Sequence, residues 1–89
     1  MTKLDLAFVD DGWDDYLWCQ AQSRALLKRV NMLIEATRRT PYEGIGKPEQ
    51  LRHEEPGTWS RRITDEHRLV YRVEGDCLVV IQARFHYAA

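Results

Sequence analysis

The sequence predicts an α+β domain in which two N-terminal helices pack on one face of a mainly antiparallel twisted sheet, in the order β-α-α-β-β-β. Three observations carry that prediction. Apolar residues recur at helical spacing from about Trp13 to Arg39, they alternate with polar residues from Trp59 onward, and a stretch rich in glycine and proline separates the two regimes. With 89 residues, 44% apolar and 30% charged, the chain has the size and composition of a single domain, residues 1–89, with a small core.

Leu4, Leu6 and Phe8 alternate with Asp5 and Ala7 as a short first strand that ends at Asp10, Asp11 and Gly12. Either aspartate can cap the helix that follows. Trp13, Tyr16, Leu17 and Gln20 keep helical spacing to about Ala21, and Asp14 and Asp15 are expected in the first turn, where the helix dipole favours anions. Ser23 reads as the N-cap of a second, longer helix, with Leu26, Val30, Leu33 and Ile34 as its apolar stripe and Arg24, Lys28, Arg29 and Glu35 toward water. Arg38 and Arg39 complement the dipole in the last turn before Thr40 and Pro41 end it.

From Pro41 to Gly57, three prolines and three glycines predict a long loop with room for a short strand around Leu51. Trp59–Ile63, His67–Glu74 and Cys77–Phe85 read as strands, the last two joined through Glu74, Gly75 and Asp76. Alternation turns Leu69, Tyr71 and Val73 of one strand, and Val79, Ile81 and Phe85 of the next, toward the helices. Holding both sets on one side requires a connection of odd length, a three-residue turn with a bulge. Arg68 then shares the opposite face with Arg72, Gln82, Arg84 and His86, and that face is the candidate site.

No apolar run approaches the ~20 residues that cross a bilayer, and acid follows too soon after Met1 for a signal peptide, so no membrane and a cytoplasmic location are expected. Cys19 and Cys77 lack the paired spacing of a zinc site or a disulfide framework and read as buried or half-buried thiols. Net charge is −1, which is not the strongly basic footprint of a nucleic-acid binder. The distribution says more: from Arg24 onward 12 Lys and Arg stand against nine Asp and Glu, and ten of the 13 basic residues are arginine, whose planar fork suits phosphate. An excess of that size is more often just a solvated face and decides nothing alone.

Cleavage of an RNA phosphodiester without metal needs a base for the ribose 2′-hydroxyl, an acid for the departing 5′-oxygen and a cation for the phosphorane. His86, beside Arg68 and followed by Tyr87, offers acid and cation, although an isolated histidine in a strand is ordinarily structural. Glu49 is the loop carboxylate available as base, flanked by Lys47 and Pro48 with Arg52 three positions on. Its ordinary reading is a solvated loop residue. No phosphate-binding loop and no metal-ligand cluster is present, His53 and His67 lack the partners a zinc site requires, and Ser23 and Ser60 lack triad companions.

Several motifs occur in order: Trp13, Asp14, Asp15, Tyr16, Leu17; Thr37, Arg38, Arg39, Thr40, Pro41; Glu43, Gly44, Gly46, Lys47, Pro48, Glu49; Trp59, Ser60, Arg61, Arg62, Ile63, Thr64; Glu66, His67, Arg68, Leu69, Val70, Tyr71; and Arg84, Phe85, His86, Tyr87. Over essentially its full length the chain resembles the YoeB/Txe toxins of the RelE superfamily, from type II toxin-antitoxin systems. The resemblance implies a RelE-like fold and a ribosome-dependent endoribonuclease, an mRNA interferase, that cuts mRNA in the A site of the 70S ribosome. It implies 2′,3′-cyclic phosphate and 5′-hydroxyl ends, inhibited translation, and neither a metal nor a cofactor.

By the same resemblance Glu49 is the general base, His86 the general acid, Arg68 the stabiliser of transition-state charge and Tyr87 a positioning or stacking residue. Lys47 and Arg62 contact RNA phosphates, and Arg52 stands where relatives often carry lysine. A YefM/Phd-type antitoxin with a disordered C-terminal segment is the implied partner, and homodimerisation is compatible. Trp13, Trp18 and Trp59 could contribute to the surface that this segment wraps, with core packing the simpler role for at least two of them. Two rivals remain open: a RelE-fold toxin that poisons gyrase or only binds a partner, and an RNA-binding module that uses its arginines without cutting.

Overall fold

The computed structural model describes residues 3–85. In chain order these form β1 (Asp5–Phe8), α1 (Asp10–Gln22), α2 (Arg24–Arg39), β2 (Glu49–Gln50), β3 (Trp59–Arg62), β4 (Arg68–Glu74) and β5 (Cys77–Gln82). The sheet order is β1-β5-β4-β3-β2, with β1 parallel to β5 and every other pair antiparallel. Two helices on a mainly antiparallel sheet are therefore present as expected. The two-residue β2, just before the anticipated Leu51, adds a strand to the order.

Ser23 caps α2 as its sequence context predicts, its Oγ accepting the Leu26 N–H at 3.1 Å. Neither Asp10 nor Asp11 caps α1, whose N-cap is Val9 without a side-chain acceptor; these two acids, rather than Asp14 and Asp15, occupy the first turn. The helix starts early enough to absorb the expected turn. Val30, Leu33 and Ile34 of α2 and Cys19 of α1 pack on Ile63, Leu69, Tyr71, Leu78, Val80 and Ala83 of the sheet side. Truncating a fully buried leucine such as Leu33 or Leu69 costs about 2–5 kcal/mol. Trp18 and Trp59 pack against this core, whereas Trp13 is 46% exposed and stacks on Tyr16 with ring centroids 5.7 Å apart.

Arg29 does not simply face water. Its Nε donates to the Ile63 carbonyl at 3.2 Å and its Nη2 to the Arg62 carbonyl at 3.0 Å, which fastens α2 to the end of β3. At the other end of α2, Arg38 Nε donates to the Leu4 carbonyl at 2.8 Å and the Leu4 N–H to the Arg38 carbonyl at 2.9 Å.

The β4–β5 hairpin corrects the predicted turn. Glu74 pairs with Cys77, so only Gly75 and Asp76 form the connection, and the left-handed φ of 60° at Gly75 matches the first central position of a type II′ turn. The extra residue lies further along: Tyr71 opposes Val80 but Val70 opposes Gln82, leaving Ile81 without a partner in a bulge. Two consequences follow for the faces. Leu78 and Val80, not Val79 and Ile81, enter the core, and Phe85 is 55% exposed. Past the bulge the parity resets, so Gln82 joins Val70, Arg68 and Arg72 on the face away from the helices while Ala83 turns inward.

Candidate functional site

On the face opposite the helices, pairing aligns residues from four strands into one row: Glu49 opposes Ser60, Ser60 opposes Val70, and Val70 opposes Gln82. In the adjacent row Arg62 opposes Arg68. From strand spacing, Glu49 lies about 10 Å across the sheet and about 7 Å along it from Arg68, a gap that long side chains can close around a phosphodiester. β2 is what brings Glu49 here, through its pairing with β3, and the loop that precedes it is anchored from below.

Arg61 provides that anchor. It is fully buried on the core face, where its guanidinium donates to the carbonyls of Thr40, Glu43 (2.8 Å) and Ile45 (3.0 Å) and to the Tyr71 hydroxyl (3.3 Å). Tyr71 in turn donates to the Pro41 carbonyl at 2.6 Å, and burial pushes its hydroxyl pKa above the ordinary value against the lowering influence of Arg61. The Arg62 N–H donates to the Gly46 carbonyl at 2.7 Å, so loop and β3 are joined immediately before Lys47. Sequence patterning did not single out Arg61, because a buried arginine inside a polar-looking Ser-Arg-Arg run carries no periodic signal.

The three arginines of the open face differ in what surrounds them. Arg72 is matched by carboxylates, Glu55 at 2.8 Å and Glu74 at 3.2 Å. Arg62 and Arg68 form no salt bridge with any described residue, and Arg68 Nε is buried without a hydrogen-bond partner. Like charges opposed across a ladder with no counter-ion favour an anion between them. Lys47 is exposed with a left-handed φ of 51°, next to the strand that carries Arg62. Arg52 is exposed in the turn after β2, outside the two rows, and makes no hydrogen bond or ion pair among the described residues.

Arg84 departs from the expected grouping. β5 ends at Gln82, and the Arg84 guanidinium lies over the Trp18 ring of α1 at 3.8 Å and over the Phe85 ring at 4.6 Å, drawn to the helix rather than to Arg68. Nearby, Asp15 Oδ2 accepts the Ala83 N–H at 3.1 Å, and burial raises the Asp15 carboxyl pKa despite that bond and the Arg84 charge.

His86 and Tyr87, the expected acid and positioning residue, lie outside the described residues. The carbonyl that links Phe85 to His86 accepts the Arg68 N–H at 3.1 Å. His67, set aside as a zinc ligand, is buried beside this junction, with Nδ1 accepting the Phe85 N–H at 2.8 Å. Among the described residues no cluster of three or more His, Cys, Asp or Glu is placed to hold a metal ion, and no helix is long and apolar enough to cross a membrane.

Residues 8–87 match the family model of the YoeB-like toxin of bacterial type II toxin-antitoxin systems. The toxin YoeB of Escherichia coli K12 is 51% identical over 84 residues, 94% of this chain and 100% of that toxin. The YoeB/ParE toxin from Agrobacterium tumefaciens superposes with a TM-score of 0.87 at 46% identity, over 94% of this chain and 100% of that one. YoeB of Staphylococcus aureus, solved as a dimer and in a complex with YefM, gives TM-scores of 0.87 and 0.83 at 36% identity, over 97% of this chain and 100% of each.

Proposed function

The chain belongs to the YoeB-like toxin family of bacterial type II toxin-antitoxin systems, and we propose that it is a ribosome-dependent endoribonuclease that cuts mRNA in the A site by acid–base catalysis. The observation that carries this reading is the open sheet face, where Glu49 stands one row from an Arg62–Arg68 pair that has no carboxylate partner among the described residues.

In this mechanism Glu49 takes the proton from the ribose 2′-hydroxyl. The resulting alkoxide attacks the adjacent phosphorus, and Arg68, with Arg62 beside it, stabilises the charge of the phosphorane. His86 gives a proton to the departing 5′-oxygen, leaving a 2′,3′-cyclic phosphate and a 5′-hydroxyl. The hydrogen bond from Arg68 to the Phe85 carbonyl supports this assignment, since it ties the cation's backbone to the residue before the acid. Tyr87 positions or stacks on the substrate, and Lys47 and Arg52 hold phosphates of the flanking message. The exposed positions of Lys47 and Arg52 agree with that role.

The S. aureus structures support two further proposals for this chain: a YefM-type antitoxin that covers the site, and a homodimer. A toxin that meets the 70S ribosome acts in the cytoplasm.

The test adds purified protein to ribosomes stalled on a defined mRNA and maps ends by primer extension. Wild type is expected to cut at the A-site codon, and Glu49→Gln or His86→Gln to lower the rate by about 10²-fold or more. An intact message with wild-type protein overturns the nuclease reading. Undiminished toxicity of both variants would favour a toxin that only binds.

A further inference from the structure

Between β3 and β4 the chain makes a tight turn that Thr64 organises. Its Oγ1 accepts the N–H groups of Glu66 (3.2 Å) and His67 (3.1 Å), while the His67 carbonyl accepts the N–H groups of Ile63 (2.9 Å) and Thr64 (3.2 Å). The turn delivers the His67 ring to a fixed place, 8% exposed, in T-shaped contact with Trp18 and Phe85 at centroid distances of 5.1 and 5.5 Å. From there Nδ1 accepts the Phe85 N–H at 2.8 Å, which requires the neutral imidazole with its proton on Nε2.

Phe85 needs such a partner. Its φ of 62° is left-handed, a conformation that a bulky residue adopts only when its surroundings impose it. Its carbonyl is held as well, by the Arg68 N–H at 3.1 Å and Gln82 Nε2 at 3.3 Å. The N–H side rests on His67. We infer that His67 is a positioning residue, which locks Phe85 in the left-handed turn and so fixes the junction from which the chain continues to the general acid. The inference rests on the acid–base reading above, in which His86 protonates the departing 5′-oxygen.

Three variants separate an acceptor from mere packing. His67→Asn places Oδ1 close to the position of Nδ1 and keeps the acceptor. His67→Gln carries its acceptor one methylene too far, and His67→Phe keeps the ring without any acceptor. On ribosome-bound mRNA, His67→Phe and His67→Gln are expected to lower kcat by up to about 10²-fold at unchanged KM, the scale of a misplacement near 1 Å, with His67→Asn within about threefold of wild type. Amide exchange of Phe85 should be slow in wild type and His67→Asn and fast in the other two.

Wild-type kcat in His67→Gln, or an equal loss in His67→Asn, overturns the positioning role; the Gln and Asn pair decides even where His67→Phe does not fold. A wild type that leaves mRNA uncut overturns the acid–base reading instead. In that case slow Phe85 exchange in His67→Gln would also remove the clamp.

Discussion

Arg62 and Arg68 stand directly opposite each other across the β3–β4 ladder, on the face turned away from the helices, and no carboxylate of a described residue pairs with either. Opposed like charges destabilise a sheet by up to about 1 kcal/mol, so this pair is costly to the free fold and useful to an anion. Arg68→Gln is therefore expected to hold or raise the stability, by about 0.5 kcal/mol, with the gain shrinking in high salt as screening takes over. The same variant should lose about 10²-fold or more in mRNA cleavage. Urea melts at two salt concentrations, run beside the primer-extension assay, check both halves.

Arg61 and Tyr71 form the buried brace beneath the Glu49 loop. Arg61→Met leaves the carbonyls of Thr40, Glu43 and Ile45 without their donor, and a loss of about 3 kcal/mol or more is expected. Tyr71→Phe removes only the hydroxyl and should cost about 1–3 kcal/mol. Chemical denaturation measures the two costs. A variant that still folds should cut mRNA more slowly, because β2 is no longer held in place.

Gly46 sits in the same loop with a φ of 82°, and a Cβ there would come 2.7 Å from Leu33 Cδ2 and 3.2 Å from Arg61 Cβ. Gly46→Ala combines a disfavoured backbone with crowding against the core, and a loss of about 1–3 kcal/mol is expected. Its melting temperature, compared with that of wild type, tests this.

Asp15 predicts a pH dependence. Burial raises its folded-state pKa, so the folded chain binds the proton more tightly than the unfolded chain does. Its contribution is most favourable below the unfolded carboxyl value of about 3.9 and is lost as pH rises through the raised folded value. Asp15→Asn keeps an acceptor for the Ala83 N–H and carries no charge. It should melt above wild type near neutral pH, with the difference falling to a constant offset below about pH 3. A difference that grows on acidification would contradict this account.

Local pattern was enough for much of the scaffold. The 3.6-residue stripe of α2, its Ser23 cap, the three longer strands and the alternation of Leu69, Tyr71 and Val73 all depend on neighbours a few positions away, and all were read correctly. The hairpin was read only in part. A two-residue turn at Gly75 and Asp76 with a later bulge at Ile81 restores the same face for Arg68 and Gln82 as a three-residue turn would, yet it sends Leu78 and Val80 inward instead of Val79 and Ile81. Parity alone cannot tell where along a strand the extra residue sits.

By itself, then, the sequence determined the two helices and their order before the three longer strands, the Ser23 cap of α2 and the shared face of Arg68, Arg72 and Gln82, because periodicity, capping and turn chemistry are local. Tertiary structure decided the rest of the described site. It paired β1 with β5 across most of the chain, set Glu49 in a row with Ser60 and Val70, buried Arg61 under the loop, drew Arg84 to Trp18 and placed His67 against Phe85. Each of those relations joins residues far apart in sequence. They depend on which backbone groups and cavities the folded core leaves to be satisfied, and nothing in the spacing of neighbouring residues encodes that.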